Sequence, residues 1–298
     1  MPLKWLEITP DYRCNHRCLG CAVTGEEGPS RNTRQLVQAM IDGRSQGVKQ
    51  LWIGGGEPTL RRDLLALIRE ARALGYARIR LQTNAAMLAY PEVTARLLAA
   101  GLTEISVSIK GPDAQTHDRM AQAEDAFALL LQGIANARAC GLQVEGDVLV
   151  YRSTTEQLPQ VVRVFSAMGV ARFRIWMMAP NEDAEVLREE PLLCEVAHAV
   201  KASIALGLSL DAEHIVSLHT PPCVLRDEAV AARFFAPDLG LWVHDASGRA
   251  FRLEASEMEG GTFPLRCEGC VLRSRCGGLR AGYLARHGDG ELVPKRVA

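Results

Sequence analysis

The stretch Ile105-Ser106-Val107-Ser108-Ile109-Lys110 alternates apolar and polar residues without a break, and residues 78–82 and 172–176 follow nearly the same pattern. A strand of this kind packs one face on helices and turns the other toward a polar space. Central strands that are covered by helices on both faces are instead apolar throughout. The alternation therefore predicts a curved, barrel-like sheet around a solvated cavity rather than a flat, doubly wound sheet.

Outward from this stretch, the chain repeats a strand–helix unit six times. The predicted strands are Trp5–Thr9, Gln50–Ile53, Arg78–Thr83, Glu104–Ile109, Val144–Val150 and Phe173–Met177. The predicted helices are Thr33–Gly43, Arg62–Leu74, Pro91–Ala100, Asp125–Cys140, Glu156–Met168 and Leu192–Leu206. Such a repeat predicts a parallel sheet. We therefore expect an α/β fold, a partial (β/α)6 TIM-like barrel.

The strand–helix rhythm stops after about residue 210, where prolines, a predicted hairpin turn at residues 245–248 and a group of cysteines follow. We expect residues 1–212 to form the main barrel domain. Residues 213–298 are expected to form a small, cysteine-rich second domain.

Charge and composition exclude several classes of protein. The 298 residues carry 34 Lys and Arg against 35 Asp and Glu, a formal net charge of -1, which argues against a strongly basic nucleic-acid binder. No apolar run approaches the ~20 residues of a membrane span, and no signal peptide precedes the first strand. A cytoplasmic protein without a membrane partner is expected. In that reducing compartment, nine cysteines point to metal ligands before disulfides.

Three of these cysteines, Cys14, Cys18 and Cys21, lie in the loop directly after the first predicted strand. Three thiolates do not close a tetrahedral zinc site, but they suit a four-iron cluster with one iron open to a small molecule. His16 is an alternative fourth zinc ligand, although its position in a tight loop favours exposure. The next strand ends in Gly54-Gly55-Gly56-Glu57-Pro58, whose glycines allow close approach of a ligand. Barrels of this class build their sites at these strand ends.

Together, the Cys14-x3-Cys18-x2-Cys21 spacing and the turn Gly55-Gly56-Glu57-Pro58 resemble the radical S-adenosylmethionine (SAM) superfamily, over roughly residues 3–210. The resemblance implies that the three cysteines hold a [4Fe-4S] cluster whose open iron is chelated by the methionyl group of SAM. Gly55, Gly56 and Glu57 would receive the methionyl amino group. The cluster would cleave SAM reductively to a 5′-deoxyadenosyl radical that abstracts a substrate hydrogen. A flavodoxin- or ferredoxin-type electron donor is implied as well.

Later positions match this family less closely. Thr83 and Asn84 stand where the family contacts the SAM ribose, and Ser108 matches a SAM-binding serine at the end of the fourth strand. Lys110 replaces the aspartate of that motif and is assigned only to the polar wall. Gly20 replaces the aromatic residue that usually touches adenine.

A second set of thiols lies in the loop-rich C-terminal part, where four thiolates are typical of either a closed zinc site or an iron–sulfur cluster. Its members are Cys223, Cys267, Cys270 and Cys276. They resemble the ligands of SPASM and twitch domains. A full SPASM domain has further cysteines where this chain has Leu253 and Arg280, so the resemblance implies one auxiliary [4Fe-4S] cluster, as in the twitch type.

The polar faces of the strands predict a substrate pocket above the first cluster. Its candidate residues are Arg80, Asp147, Arg174 and Trp176. For Arg174 and Asp147, an internal salt bridge is the alternative. The sequence assigns no catalytic residue beyond the cofactor-binding ones.

Three functions are compatible with these features. In the first, the enzyme modifies a peptide by a crosslink, a thioether bond or epimerisation. Because no leader-binding domain fits before the first strand, a separate leader-peptide-binding protein would then be needed. In the second, it oxidises or rearranges a small metabolite or cofactor precursor, as a dehydrogenase would. In the third, the chain is a zinc-stabilised binding module without enzymatic activity.

Overall fold

The strands form a single, mostly parallel sheet. The computed structural model describes residues 2–21, 28–178, 183–210, 214–217, 220–225, 239–256, 260–274 and 276–296. Its strands are β1 Trp5–Ile8, β2 Gln50–Ile53, β3 Arg78–Thr83, β4 Glu104–Ile109, β5 Gln143–Val150, β6 Arg172–Met177, β7 His214–Ser217, β8 Leu241–His244 and β9 Ala250–Arg252. Their order is β7-β6-β5-β4-β3-β2-β1-β8-β9, and only β9 runs antiparallel to its neighbour. The sheet is open rather than closed into a barrel.

Helices cover the outer face of this sheet. They are α1 Thr33–Ser45, α2 Leu64–Ala73, α3 Pro91–Ala100, α4 Ala114–Ala121, α5 Ala126–Ala139, α6 Leu158–Ala167, α7 Ala184–Arg188, α8 Leu193–Ser209, α9 Pro222–Leu225 and α10 Ala281–His287. Local signals explain several of their ends. Asn32 and Gln35 form a capping box at the start of α1, and Gly101 ends α3 with a φ of 112°.

The two faces of the sheet differ as the alternation predicted. Ile105, Val107 and Ile109 are fully buried in the main hydrophobic core, on the face covered by helices. Ser106 and Ser108 lie on the opposite, concave face, where Ser108 is in register with Asp147 of β5. The α/β class and the six strand–helix units are therefore confirmed. Polar side chains are directed into the hollow of the sheet.

The C-terminal part of the chain also contributes to this sheet. β7 extends it beyond β6, and β8 pairs in parallel with β1. The predicted hairpin joins β8 to β9, where the Asp245 carbonyl accepts a hydrogen bond from the Gly248 amide. The predicted domain boundary at residue 212 falls within residues 211–213, outside the described residues, so the division into two domains stays a prediction. Among the described helices, none is long and apolar enough to cross a bilayer.

Candidate functional site

The loop that carries Cys14, Cys18 and Cys21 is held by backbone and side-chain hydrogen bonds from several elements. The Leu19 amide donates to the carbonyl of Met120 at 2.9 Å, and its own carbonyl accepts a hydrogen bond from the Tyr151 hydroxyl at 2.9 Å. The three cysteines are all only partly buried and have no disulfide partner. The structure thus presents three thiols on one anchored loop at the carboxyl end of β1.

The Gly55-Gly56 turn after β2 packs directly on this loop. The Gly56 amide donates to the carbonyl of Asp11 at 3.0 Å, and the Glu57 amide donates to that of Arg13 at 2.7 Å. A Cβ atom on Gly56 would lie 2.2 Å from the Arg13 carbonyl oxygen, and Gly55 has a φ of 105°. Only glycine fits this backbone-to-backbone approach. The turn and the cysteine loop therefore form one rigid cradle.

Glu57 joins the ends of β2 and β3. Its buried carboxylate accepts hydrogen bonds from the Thr83 hydroxyl at 2.8 Å, from the Asn84 amide at 2.7 Å and from the Thr59 amide at 3.0 Å. Burial raises the pKa of this carboxyl, while the hydrogen bonds act in the opposite direction. Its oxygens are engaged within the protein, so Glu57 positions the turn, and contacts to a ligand fall to the backbone.

Asn84 connects this turn to the cysteine loop. Its side-chain amide donates to Asn15 at 2.7 Å and lies 4.0 Å from the Cys14 sulfur. The structure thus brings Gly55, Gly56, Thr83 and Asn84 together beside Cys14, as expected for a SAM-binding edge.

His16 differs from the expectation of exposure, because it is buried. Its exposed fraction is 4%, and burial, together with the charge of Lys110, lowers its pKa to about 4. The loop turns His16 inward, toward Lys110 and His117, so the prediction that it faces solvent is wrong. The burial of His16 results from the conformation of the cysteine loop, which the spacing of the cysteines does not predict.

Gly20 packs where a larger residue would not fit. Its φ is 65°, and a Cβ atom would lie 2.7 Å from the terminal carbon of Met178 and 3.2 Å from Val186. Met178, Val186 and Tyr151 belong to a small buried cluster under the cysteine loop. The space beside Gly20 is therefore filled by side chains that come from other parts of the chain.

A cavity of about 380 Å³ opens beside the third cysteine. The predicted residues Ser108, Asp147 and Trp176 line it, as does Lys110. Of its other walls, the alternation of the strands also placed Gln82 on the inward face, and most of the rest were not predicted as pocket residues. These other walls are Glu7, Gly20, Cys21, Trp52, Gln82, Leu149, Met177, Val243, Phe251, Leu253, Ser256 and Arg280. Arg280 donates to the carbonyls of Met177 and Met178 at 3.0 and 2.8 Å, so the C-terminal segment closes one side of the cavity.

Arg80 and Arg174 lie toward the amino ends of the strands and do not line this cavity. Arg80 pairs with Glu104 and Glu145, both at 2.7 Å. Arg174 pairs with Asp147 at 3.1 Å and with Glu145. The contact between Arg174 and Asp147 is the internal salt bridge that the sequence left open as the alternative. Both arginines line a second cavity, at the opposite end of the sheet.

The four C-terminal thiols also converge. Cys223, Cys267, Cys270 and Cys276 line one cavity, and burial raises the pKa of Cys276 to about 11. The neighbouring thiolates of Cys223, Cys267 and Cys270 contribute to that rise, while the Gly278 amide acts in the opposite direction. Among the described residues, no three His, Cys, Asp or Glu side chains are arranged to hold a single metal ion. A set of thiols around one cavity has the chemistry of a cluster site.

Comparison with known proteins defines the class of the chain. A family model described as the Radical SAM superfamily matches residues 8–165. A "Probable GTP 3′,8-cyclase" of Saccharolobus islandicus (strain M.14.25 / Kamchatka #1) is 30% identical over 182 residues, which are 60% of this chain and 58% of that protein. The protein of the same name from Metallosphaera sedula is 29% identical over 185 residues. The chain thus spans less than two thirds of the length of these relatives.

Solved structures share the fold. Streptococcus suis SuiB bound to S-adenosylmethionine has a TM-score of 0.72 at 14% identity, covering 99% of this chain and 77% of SuiB. A structure described as anSMEcpe with bound AdoMet and Kp18Cys peptide has a TM-score of 0.62 at 13% identity. The match covers 97% of this chain and 81% of the other. At such identities these matches establish the fold.

Because the family model covers more than half of the chain, the chain belongs to the radical SAM superfamily. The family implies a [4Fe-4S] cluster and SAM as cofactors. The anchored three-thiol loop and the glycine cradle fit that pair of groups.

Proposed function

We propose that Cys14, Cys18 and Cys21 hold the [4Fe-4S] cluster and that the enzyme uses SAM to abstract a hydrogen atom from a peptide. When bound, the cluster and SAM supply a one-electron cleavage that produces the hydrogen-abstracting radical. The observation that carries the proposal is the placement of Cys21 on the wall of the 380 Å³ cavity. A substrate in that cavity is adjacent to the cofactor site.

The chain's own residues bind and orient the two partners of this reaction. The backbone of Gly55 and Gly56 receives the methionyl group, and Glu57 keeps that turn fixed between β2 and β3. Thr83, Asn84 and Ser108 contact the rest of SAM. Met177, Leu149 and Phe251 add apolar surface to the cavity, which limits the access of water to the reacting carbon.

An edge strand favours a peptide substrate. β9 is the last strand of the sheet, and no described strand pairs with its outer side. Phe251 of β9 lines the cavity, and Ala250 is exposed. An extended peptide that adds to such an edge would gain main-chain hydrogen bonds and direct alternate side chains toward the cavity. Crosslinking, thioether formation and epimerisation all begin with hydrogen abstraction from a peptide held in this way.

We further propose that Cys223, Cys267, Cys270 and Cys276 hold one auxiliary [4Fe-4S] cluster in a twitch-like domain. Four thiolates leave no open iron position, so this cluster serves electron transfer or structure. Support comes from their shared cavity and from the fold likeness to SuiB, which extends over 99% of the chain. A flavodoxin- or ferredoxin-type donor would supply the electrons. A separate leader-peptide-binding protein would recruit the substrate.

The alternative is a small-molecule substrate, as for a dehydrogenase or for cofactor assembly. The observation that favours it is the 30% identity to proteins named as probable GTP 3′,8-cyclases. Direct incubation with GTP discriminates between the two, because a cyclised product would contradict the peptide proposal.

Iron content and SAM cleavage test the cofactor assignments. The anaerobically reconstituted chain should bind about eight iron atoms and form 5′-deoxyadenosine with dithionite, since each [4Fe-4S] cluster holds about four. Cys14→Ala should retain about half the iron and form no 5′-deoxyadenosine. Cys276→Ala should reduce the iron of the auxiliary site alone. Cys140→Ala is the matched control. 5′-Deoxyadenosine from Cys14→Ala, or zinc in place of iron, would refute the proposal.

A further inference from the structure

Lys110 is a buried cation on the wall of the active-site cavity. It follows the last residue of β4, and only 6% of its surface is exposed. No ion pair links its ammonium group to a carboxylate of the described residues. Removing an ammonium group from water without a counter-charge is costly. An anion bound in the cavity beside Lys110 would supply that counter-charge.

Three titratable residues near Lys110 do not form an ion pair with it in the described part of the chain: His117, and Glu7 and Asp147 on the cavity wall. Burial and the Lys110 charge lower the pKa of His117 to about 3, so this ring is neutral and does not balance the charge of Lys110. Asp147 lines the same cavity, but its carboxylate is already occupied. It accepts hydrogen bonds from Ser106 at 2.5 Å and from Trp176 at 3.3 Å, and it pairs with Arg174 at 3.1 Å.

A second group in the cavity also has an unused hydrogen-bond donor. Trp52 lines the cavity and is 1% exposed, and its indole Nε1 has no hydrogen-bond partner among the described residues. Buried donors of this kind are normally paired, by protein, water or ligand. The Trp52 nitrogen is itself buried, so the ring forms part of the wall, and Lys110 is the charged donor that the cavity offers to an occupant.

The position of Lys110 favours the substrate over SAM as the source of the anion. Of the residues expected to contact SAM, only Ser108 lines this cavity, while Gly55, Gly56, Thr83 and Asn84 do not. The remaining walls include Phe251, Leu253 and Arg280 from the C-terminal segment. Lys110 thus belongs to the part of the site that the C-terminal segment shapes.

We propose that the active-site cavity binds its substrate through a carboxylate, with the ammonium group of Lys110 as the counter-ion. This inference rests on the proposed function and specifies its substrate class. The carboxylate belongs to an acidic side chain of a peptide or to a small carboxylic acid.

Affinity selection with the reconstituted, SAM-bound enzyme tests the proposal. The first pair of probes is a pool of N-acetylated, C-amidated pentapeptides with one Asp or Glu and the matched pool with Asn or Gln. The second pair is a pool of small carboxylic acids and the pool of their primary amides. Wild-type enzyme should retain acids over amides by about tenfold, as charge-assisted hydrogen bonds predict. The retained pool identifies the source of the carboxylate.

Variants at position 110 test whether Lys110 causes the preference for acids over amides. Lys110→Arg keeps the charge and should keep the preference, whereas Lys110→Met should remove it. Lys49→Met, at an exposed position, is the matched control and should behave as wild type. Equal retention of acids and amides, retention of neither, or a preference that survives in Lys110→Met would overturn the proposal.

SAM itself carries a carboxylate that Lys110 could bind instead of the substrate. Equilibrium dialysis with SAM tests this alternative. If Lys110→Met weakens SAM binding by about tenfold while binding of decarboxylated SAM is unchanged, the charge serves the cofactor and the inference is wrong. If the wild-type chain holds no iron or binds no SAM, the proposed function fails instead. The two failures are therefore distinguishable.

Discussion

A 2.8 Å hydrogen bond from the Thr83 hydroxyl to the buried Glu57 carboxylate joins the ends of β3 and β2 beneath the cofactor cradle. Glu57→Ala leaves this hydroxyl and the amides of Thr59 and Asn84 without their acceptor. Each unsatisfied buried donor costs about 1–3 kcal/mol, so we expect the free energy of unfolding to fall by about 3 kcal/mol or more. Urea denaturation measures it. Glu57→Gln keeps one acceptor oxygen and should lose less. Equal losses would contradict the positioning role.

Gly56 tests the contact between the two loops of the cradle. An alanine there places its Cβ atom 2.2 Å from the Arg13 carbonyl oxygen, which neither backbone can avoid without moving. We expect Gly56→Ala to separate the turn from the cysteine loop and to weaken SAM binding by about tenfold or more, because a misplaced binding group loses most of its interaction. Gly290→Ala is the control, since nothing lies within 4 Å of its added Cβ atom. Unchanged SAM affinity in Gly56→Ala would show that the cradle is not the binding surface.

Arg174 is expected to stabilise the fold from within the sheet. Arg174→Met leaves Glu145 and Asp147 buried without this partner, which typically costs about 3–5 kcal/mol. Arg172 also pairs with Glu145, at 3.5 Å, but its side chain is 43% exposed. Arg172→Met should therefore cost less than about 1 kcal/mol. Chemical denaturation of both variants measures the two losses in the free energy of unfolding. A stable Arg174→Met enzyme with impaired substrate binding would instead assign Arg174 to the substrate pocket.

The lowered pKa of His117 leads us to expect that the folded chain loses stability in mild acid. Burial and the charge of Lys110 lower its pKa to about 3, below the ~6.5 of an unfolded histidine. Below pH ~6.5 the unfolded chain therefore takes up a proton that the folded chain does not. The contribution of His117 is complete above pH ~6.5 and decreases by about 2 kcal/mol toward pH 5.

The comparison variant for this pH dependence is His117→Asn, whose side-chain oxygen can still accept the 3.2 Å hydrogen bond from the Lys110 amide. Anaerobic urea denaturation at pH 7, 6 and 5 should show a smaller decrease in stability for the variant than for the wild type. Parallel curves would mean that His117 is protonated in the folded enzyme.

Local sequence patterns were sufficient to predict the strands and helices and the contact between the cysteine loop and the glycine turn. The alternation at residues 105–110 predicted a concave polar face because successive side chains of a strand point to opposite sides. The cysteine spacing and the glycine turn predicted two neighbouring loops because the carboxyl ends of parallel strands meet at one edge of the sheet. Each inference depends on residues close together in the chain.

Tertiary structure alone decided which polar residues face the cavity and which pair with each other. Arg174 and Trp176 share one face of β6, yet Arg174 forms salt bridges inside the sheet while Trp176 lines the cavity. Trp52 and Arg280 reach that cavity from strands and loops more than 200 residues apart in the sequence. Periodicity determines the face of a strand on which a side chain lies. The depth of that side chain and its partner depend on how distant segments pack against one another.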